Sequence, residues 1–400
     1  MTCGGVRQRG VAGAAVGLAG VVLAAMGMLA GCGSASRTPA AAPGKPAAAG
    51  KPSQSRQGGP GAPSPSPAAQ PGTPRPAVPA QAPFTAVRWI GVPGGAWQAV
   101  AGAGALFTDS SYGASPSGVS TLITRVDLAT GQVGPAIRVG GESGMTFGGG
   151  LLWVGRGTQP TSAGMIVVAL DPVTLAVRHT IALRQPPSFG TQQLAYAGGL
   201  VWVATETALI GIDPATARTV ADVPLPAADA QAFVYVAASA DGSALWTTED
   251  SGGGGPISVQ RRNPRTGGVL AAASGPAIGL GGAQIAAAGT SAWLAYATGM
   301  AGGYFEAVSA PGQLTETRPP AGPAGFTNAI RVYLAGQQLW ITDAMTGTIA
   351  CASSATGRIL AIVRGSGLLP GAIQPDGTGR LTVLINGDIL IARPKYACGP

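Results

Sequence analysis

From about residue 84 the chain repeats one short pattern of apolar and polar positions. An apolar run with an aromatic near its middle recurs as ALFT at Phe107, LLWV at Trp153, LVWV at Trp202, ALWT at Trp246, AWLA at Trp293 and QLWI at Trp340. A seventh run, LTVL, carries Thr382 in that place. The runs stand 42 to 49 residues apart, a period that marks a repeat architecture. Glycine-bearing turns such as GGGL, AGGL and DGSA precede most of them. After each comes a second apolar strand, a tight turn built on Asp or Asn with Pro, Thr or Gly, and another strand, as in IVVALDPVTLAV and LIGIDPATARTV. Proline presets φ in such turns, and Gly or Asn supplies left-handed geometry. No stretch beyond Ala30 sustains a helical period, so the pattern predicts an all-β fold.

Each repeat holds four strands. In the second they are GMTFGGG, LLWVGRG, MIVVALD and VRHTIAL. A lone four-stranded sheet cannot bury both faces, whereas sheets stacked radially cover one another. The aromatics then fill the space between blades and carry no ligand. The seventh repeat stops after its third strand, and FTAVRWIGVPG, residues 84–94, is left over at the front. The expected fold is a seven-bladed β-propeller of four-stranded antiparallel blades, the last closed by that N-terminal strand. The pattern LWV…IGIDPATARTV resembles the YVTN-type and quinoprotein-like seven-bladed propellers of bacterial envelopes. The resemblance implies the architecture and leaves function open, because such folds host enzymes and binders alike.

Upstream the pattern changes twice. Arg7 and Arg9 precede an uncharged run from Val11 to Ala30, which ends in MLAGCGS. A charged start, an apolar middle and small residues at the end describe an export signal. Leu29-Ala30-Gly31-Cys32 resembles the lipobox of bacterial lipoproteins, in which the cysteine thiol takes a diacylglyceryl group and becomes the first residue. The resemblance implies a signal peptide over 1–31, lipidation of Cys32 and a place on the extracytoplasmic side of the cell membrane. An ordinary secretory signal or an uncleaved helix are the alternatives. Residues 32–83 are rich in Ala, Pro, Gly and Ser and read as a disordered tether, leaving 84–400 as the propeller. With Cys3 lost in the signal and Cys32 lipidated, Cys351 and Cys398 remain. An exported pair suggests one disulfide, with two free thiols as the alternative.

Charge narrows the partners. The net charge is +8, yet from residue 84 onward 17 Lys and Arg face 16 Asp and Glu. The excess lies in the signal and tether, so a nucleic-acid stripe is not expected. His179 is the sole histidine and falls in a fourth strand, which leaves no supply for a Ser-His-Asp triad or a multi-histidine metal site. No Walker loop occurs, and the tryptophan that docks pyrroloquinoline cofactors is missing at the starts of the fourth strands. No catalytic residue is assigned. The candidate binding mouth gathers Asp109, Arg156, Glu206, Glu249, Asp250, Asp343 and Asn386 after the second strands, with Glu142, Asp229 and Asn328 before the first strands. It reads either as a solvated loop face or as a shallow acidic site for a cation, calcium included, or for a basic envelope protein. No other cofactor is expected, and the chain is read as a monomer. The sequence therefore suggests a membrane-anchored binding or interaction module. An envelope enzyme, either a Ca-dependent hydrolase or a lyase using the mouth, and a structural assembly scaffold are the alternatives.

Serine cannot form the thioether, so Cys32→Ser should abolish lipid attachment. Metabolic labelling with a fatty-acid analogue checks this: the wild type should label and the variant should not. Equal labelling removes the lipoprotein reading.

Overall fold

The structure is a computed structural model. It describes residues 77–110, 120–140, 143–157, 164–186, 193–225, 233–250, 256–277, 284–297, 303–309, 315–317, 326, 330–365, 368–376, 378–395 and 398. The signal, Cys32 and most of the tether lie outside the described residues.

The fold is an all-β propeller of four-stranded antiparallel sheets, seven of them among the described residues. The first sheet is β2 (Gln98–Gly102), β3 (Ala105–Asp109), β4 (Ser120–Asp127) and β5 (Val133–Gly140), after an earlier strand β1 (Phe84–Ile90). The second is β6 (Ser143–Gly148), β7 (Leu151–Gly157), β8 (Met165–Leu170) and β9 (Val177–Leu183). The third is β10 (Leu194–Ala197), β11 (Leu200–Ala204), β12 (Ala208–Asp213) and β13 (Arg218–Pro224). The fourth is β14 (Phe233–Ala238), β15 (Leu245–Asp250), β16 (Pro256–Arg262) and β17 (Val269–Ala277). The fifth is β18 (Gln284–Ala288), β19 (Ser291–Ala297), β20 (Gly303–Ser309) and β21 (Thr315–Thr317). The sixth is β22 (Ile330–Ala335), β23 (Gln338–Asp343), β24 (Thr348–Ser353) and β25 (Ile359–Val363). The last is β26 (Pro370–Pro375), β27 (Leu381–Ile385) and β28 (Asp388–Pro394), with β1 on its outer edge.

Apolar burial lies between sheets rather than in one centre. Phe107 and Ile123 of the first sheet share a cluster with Leu152 and Val168 of the second. Trp153 and Val167 then pack against Val201 and Ile210 of the third. Further clusters join each following pair of sheets. One more sets Leu384, Ile389 and Ile391 of the last sheet against Leu106 and Val126 of the first. The second-strand aromatics are the wedges of these clusters. Phe107, Trp153, Trp202, Trp246 and Trp340 are 0 % exposed and Trp293 is 1 % exposed. Full burial of such a ring stabilises by several kcal/mol, on the order of 25 cal/mol per Å².

A buried indole N–H needs an acceptor, and the acceptors are turn carbonyls. Trp202 Nε1 donates to Pro264 O of the next sheet at 2.9 Å. Trp246 donates to Gly289 O at 3.1 Å and Trp293 to Ser354 O at 3.0 Å, again one sheet on. Trp153 donates within its own sheet, to Gly148 O at 3.0 Å. The tryptophans thus join neighbouring sheets by packing and by hydrogen bonds together.

The turns between third and fourth strands follow the expected chemistry. Asp127 accepts from Thr130 N and Oγ1, each at 2.8 Å. Asp171 accepts from Val173 N and Thr174 N, and its other oxygen takes Arg178 at 2.7 Å. Asp213 accepts from Ala215 N and Thr216 Oγ1. These bonds to the ionised form hold all three carboxyls below their ordinary range, Asp171 through Arg178 first and the other two through backbone N–H groups first.

Strand β1 pairs antiparallel with β28, from Phe84 opposite Pro394 to Ile90 opposite Ile389. It covers an edge that would otherwise stay open. The folded part begins earlier than the boundary at 84 drawn from composition. Ala82 is 0 % exposed within the cluster around Phe84 and Trp340. Lys395 N donates to Pro83 O at 3.0 Å, and Lys395 Nζ to Ala80 O. A proline-rich stretch carries few apolar side chains, so composition alone misses a segment fixed by backbone contacts. Cys351 in β24 and Cys398 beyond β28 form a disulfide, with Cα atoms 6.0 Å apart.

The inner strands shingle over one another. A Cβ at Gly148 would lie 2.1 Å from the Tyr196 ring, and one at Gly102 would lie 2.2 Å from the Phe147 ring. Only glycine lets those rings lie flat on the preceding strand. Gly148→Ala should cost about 1–3 kcal/mol through overpacking. Gly150→Ala is the control for space alone, since a Cβ there meets nothing within 4 Å, although its φ of +78 adds a backbone cost. Chemical denaturation should show Gly148→Ala as the more destabilised of the two.

Candidate functional site

The residues expected at the mouth lie at the ends of second strands and in the loops beside them. Glu142, Asp229 and Asn328 lie outside the described residues. The others do not form the shallow acidic rim expected from sequence. Asp109, Asp250 and Asp343 end β3, β15 and β23 and are 0 %, 2 % and 0 % exposed. The second strands extend past their aromatic runs, so these carboxylates stay inside the sheets, covered by neighbouring sheets.

Several of the candidates serve the fold. Asp343 Oδ1 accepts from Met345 N at 3.0 Å and Thr346 N at 3.2 Å, closing the turn into β24. Glu249 faces Arg262 of β16, with Nη2 to Oε1 at 2.9 Å. Arg262 is 2 % exposed and also donates to Thr247 Oγ1 at 2.9 Å and Gly267 O at 3.0 Å. Burial pushes the Glu249 carboxyl up, and Arg262 pulls it part of the way back. Glu206, half-buried in the loop after β11, is raised by burial. Asn386 and Gly387, with φ of 52° and 83°, make the two-residue hairpin turn between β27 and β28, which Asn-Gly suits. Its side chain accepts from Leu369 N at 2.6 Å, so this candidate anchors a loop. Arg156 is half-buried in β7. Among the described residues no group of three or more His, Cys, Asp or Glu is placed to hold a metal ion. His179 lies half-buried on β9, the outer strand of its sheet.

Among the described residues a concave feature lies elsewhere. A cavity of about 430 Å³ is lined by residues of all seven first strands. Its polar wall includes Gln98, Thr146, Gln284, Arg331 and Gln374, and Met145, Phe147, Tyr196 and Tyr333 are among its apolar residues. Asp241, in the turn after β14, also lines it. That carboxylate is engaged by Ser239 Oγ at 2.5 Å, Ser243 Oγ at 2.9 Å and Ser243 N at 3.0 Å, which hold its pKa near 2. Tyr235, on β14, has its phenol pushed up to about 12 by burial; the charge of Arg331 acts against that shift and the charge of Asp250 with it. The charge of Arg331, on the sixth sheet, is thus felt by a phenol of the fourth. Sequence reasoning missed this wall. Its signal is faint: single Gln or Arg residues at or near the starts of short strands that otherwise hold small and apolar side chains.

No protein-family profile matches the sequence, and no curated protein does. Solved structures match by shape. The β-propeller domain of Cps50 (Swd1) from Myceliophteria thermophila aligns with 13% identity and TM-score 0.55, over 78% of this chain and 100% of that one. Hydrazine synthase of Kuenenia stuttgartiensis aligns with 15% identity and TM-score 0.55, over 72% and 92%. A streptogramin B lyase aligns with 12% identity and TM-score 0.53, over 78% and 98%. At these identities the likeness establishes the β-propeller fold alone.

The Glu249–Arg262 pair generates a test. Arg262→Met removes the counter-charge and leaves the carboxylate buried, which should cost about 3–5 kcal/mol at neutral pH. The folded pKa of Glu249 is already above its unfolded value and should rise further. The variant should then be most stable below the ordinary glutamate range and lose stability as pH rises through it toward the raised folded value. Urea denaturation between pH 4 and 8 reads this slope, which should be steeper than in the wild type.

Proposed function

We propose that the chain is a seven-bladed β-propeller lipoprotein, held outside the cell membrane by lipid on Cys32, that works as a binding module of the cell envelope. The observation that carries the binding reading is the cavity of about 430 Å³ walled by the first strands of every sheet. Its volume falls in the range of small-molecule sites, and it mixes apolar walls with a few convergent polar groups. The pairing of β1 with β28 and the cluster between last and first sheets support closure of the ring. The export-signal pattern, the small residues before Cys32 and the tether support the location. Of the carboxylates first read as a cation site, Asp343 serves its own turn and Glu249 a buried ion pair, so the binding surface is assigned to the channel instead.

Cross-linking in intact membranes tests this reading. Full-length protein and a tether-only bait, residues 1–83, are compared by mass spectrometry. Envelope components captured by the full chain and absent from the tether-only bait support the module. Identical sets from both baits overturn it.

A further inference from the structure

We propose that the channel holds a small carboxylate ligand, with Arg331 as its anchor. This deepens the binding-module reading by naming a ligand class. Arg331 is the second residue of β22, while Gln98 and Gln284 begin β2 and β18. Every sheet has the same strand order, so in a propeller the first strands all run the same way along the channel. The guanidinium and two carboxamides therefore gather at one end of the cavity. Thr146, Tyr196 and Gln374 line it further along.

Arg331 is the cation of the described lining. Asp109, Asp250 and Asp343 end the adjoining second strands at the same end, but they are buried within the sheets and do not line the cavity. Among the described lining residues the carboxylate is Asp241, in the turn at the opposite end, and its oxygens are occupied by Ser239 and Ser243. Among the described residues no hydrogen bond or ion pair holds Arg331. Asp343, opposite Ile330 in the adjoining strand pair, directs Oδ1 to backbone N–H groups of its own turn. Arg331 is half-buried, so its charge is partly desolvated, and its planar fork of N–H groups can make two parallel bonds. A carboxylate matches that fork in geometry. It also matches it in charge, one against one, whereas a phosphate would bring about −1.5 to −2 against a single cation. Gln98 and Gln284 can donate to the same oxygens or to a hydroxyl beside them. The Met145, Phe147 and Tyr196 surfaces suit an apolar or sugar-like body behind the carboxylate.

Calorimetric titration of the full-length protein in detergent at low salt tests the site. The probes are benzoate and gluconate, with benzamide and inorganic phosphate as the matched neutral and tetrahedral comparisons. Saturable one-to-one binding of at least one carboxylate is expected, with the amide at least tenfold weaker. Arg331→Gln should weaken carboxylate binding at least tenfold, and Arg331→Lys should be intermediate because it keeps charge and loses the fork. Gln284→Ala should weaken binding severalfold, while Arg218→Gln, an exposed position on the outer strand β13, should change nothing. If Arg331→Gln does not fold, the Lys and Gln284 variants decide on the same criteria. Absence of carboxylate binding to the wild type, equal binding by folded Arg331 variants, or tighter binding of phosphate overturns the proposal. The comparison of full-chain and tether-only baits is independent of that result, so the carboxylate site can fail while the binding module stands.

Discussion

A four-stranded sheet with two apolar faces cannot stand alone in water, and everything else in this molecule follows from how those faces are covered. The aromatic at the middle of six of the second strands is the decisive contact. It is large enough to fill the wedge between two sheets that diverge from a common axis, and the indoles of Trp153, Trp202, Trp246 and Trp293 find acceptors in their own sheet or the next. Each sheet is therefore incomplete without its neighbours. Stability passes from interface to interface, as in other repeat proteins. The last interface, between Leu384 and Leu106, is equivalent to the rest rather than an end.

The same constraint explains what the sequence made legible. Phe107, Trp153, Trp202, Trp246, Trp293 and Trp340 announce the interfaces because a wedge needs a big side chain at a fixed place in each repeat. Asp127, Asp171 and Asp213 announce their turns because a short carboxylate followed by threonine has few other backbone partners. The orphan strand at Phe84 could be read by counting strands. The strand ends could not. Asp109, Asp250 and Asp343 look like loop carboxylates in the chain, since a buried acid and an exposed one are the same letter. Their burial depends on sheets that lie some 45 residues away in sequence. The channel wall was hidden for a related reason. First strands mix small, aliphatic and aromatic residues without a fixed repeat, so the lone Gln and Arg among them carry no period to notice.

The acidic residues show how a tempting functional pattern dissolves when partners are seen. Glu249 has Arg262, Asp343 has its own turn, and Asn386 has Leu369. Each serves the fold, and together they do not form one field. The one arginine on the channel wall behaves in the opposite way. It lies in a wall of amides and rings, and no carboxylate of the described lining answers it. Contrast of this kind, between charges the fold uses and a charge it leaves over, separates scaffold from site more sharply than counting acids and bases.

The clasp around Cys398 has a mechanical meaning. Force applied to the chain ahead of Pro83 enters the sheet through β1, which lies flat along β28 and is bound to it over its whole length. Pulling there loads the strand pair in shear, where many hydrogen bonds resist at once, if the pull runs along the strand. Strand β28 cannot simply slide away, because beyond it the chain is stitched covalently to β24 in the neighbouring sheet. The two chain ends, brought to one seam, make that seam the strain-bearing part of the ring.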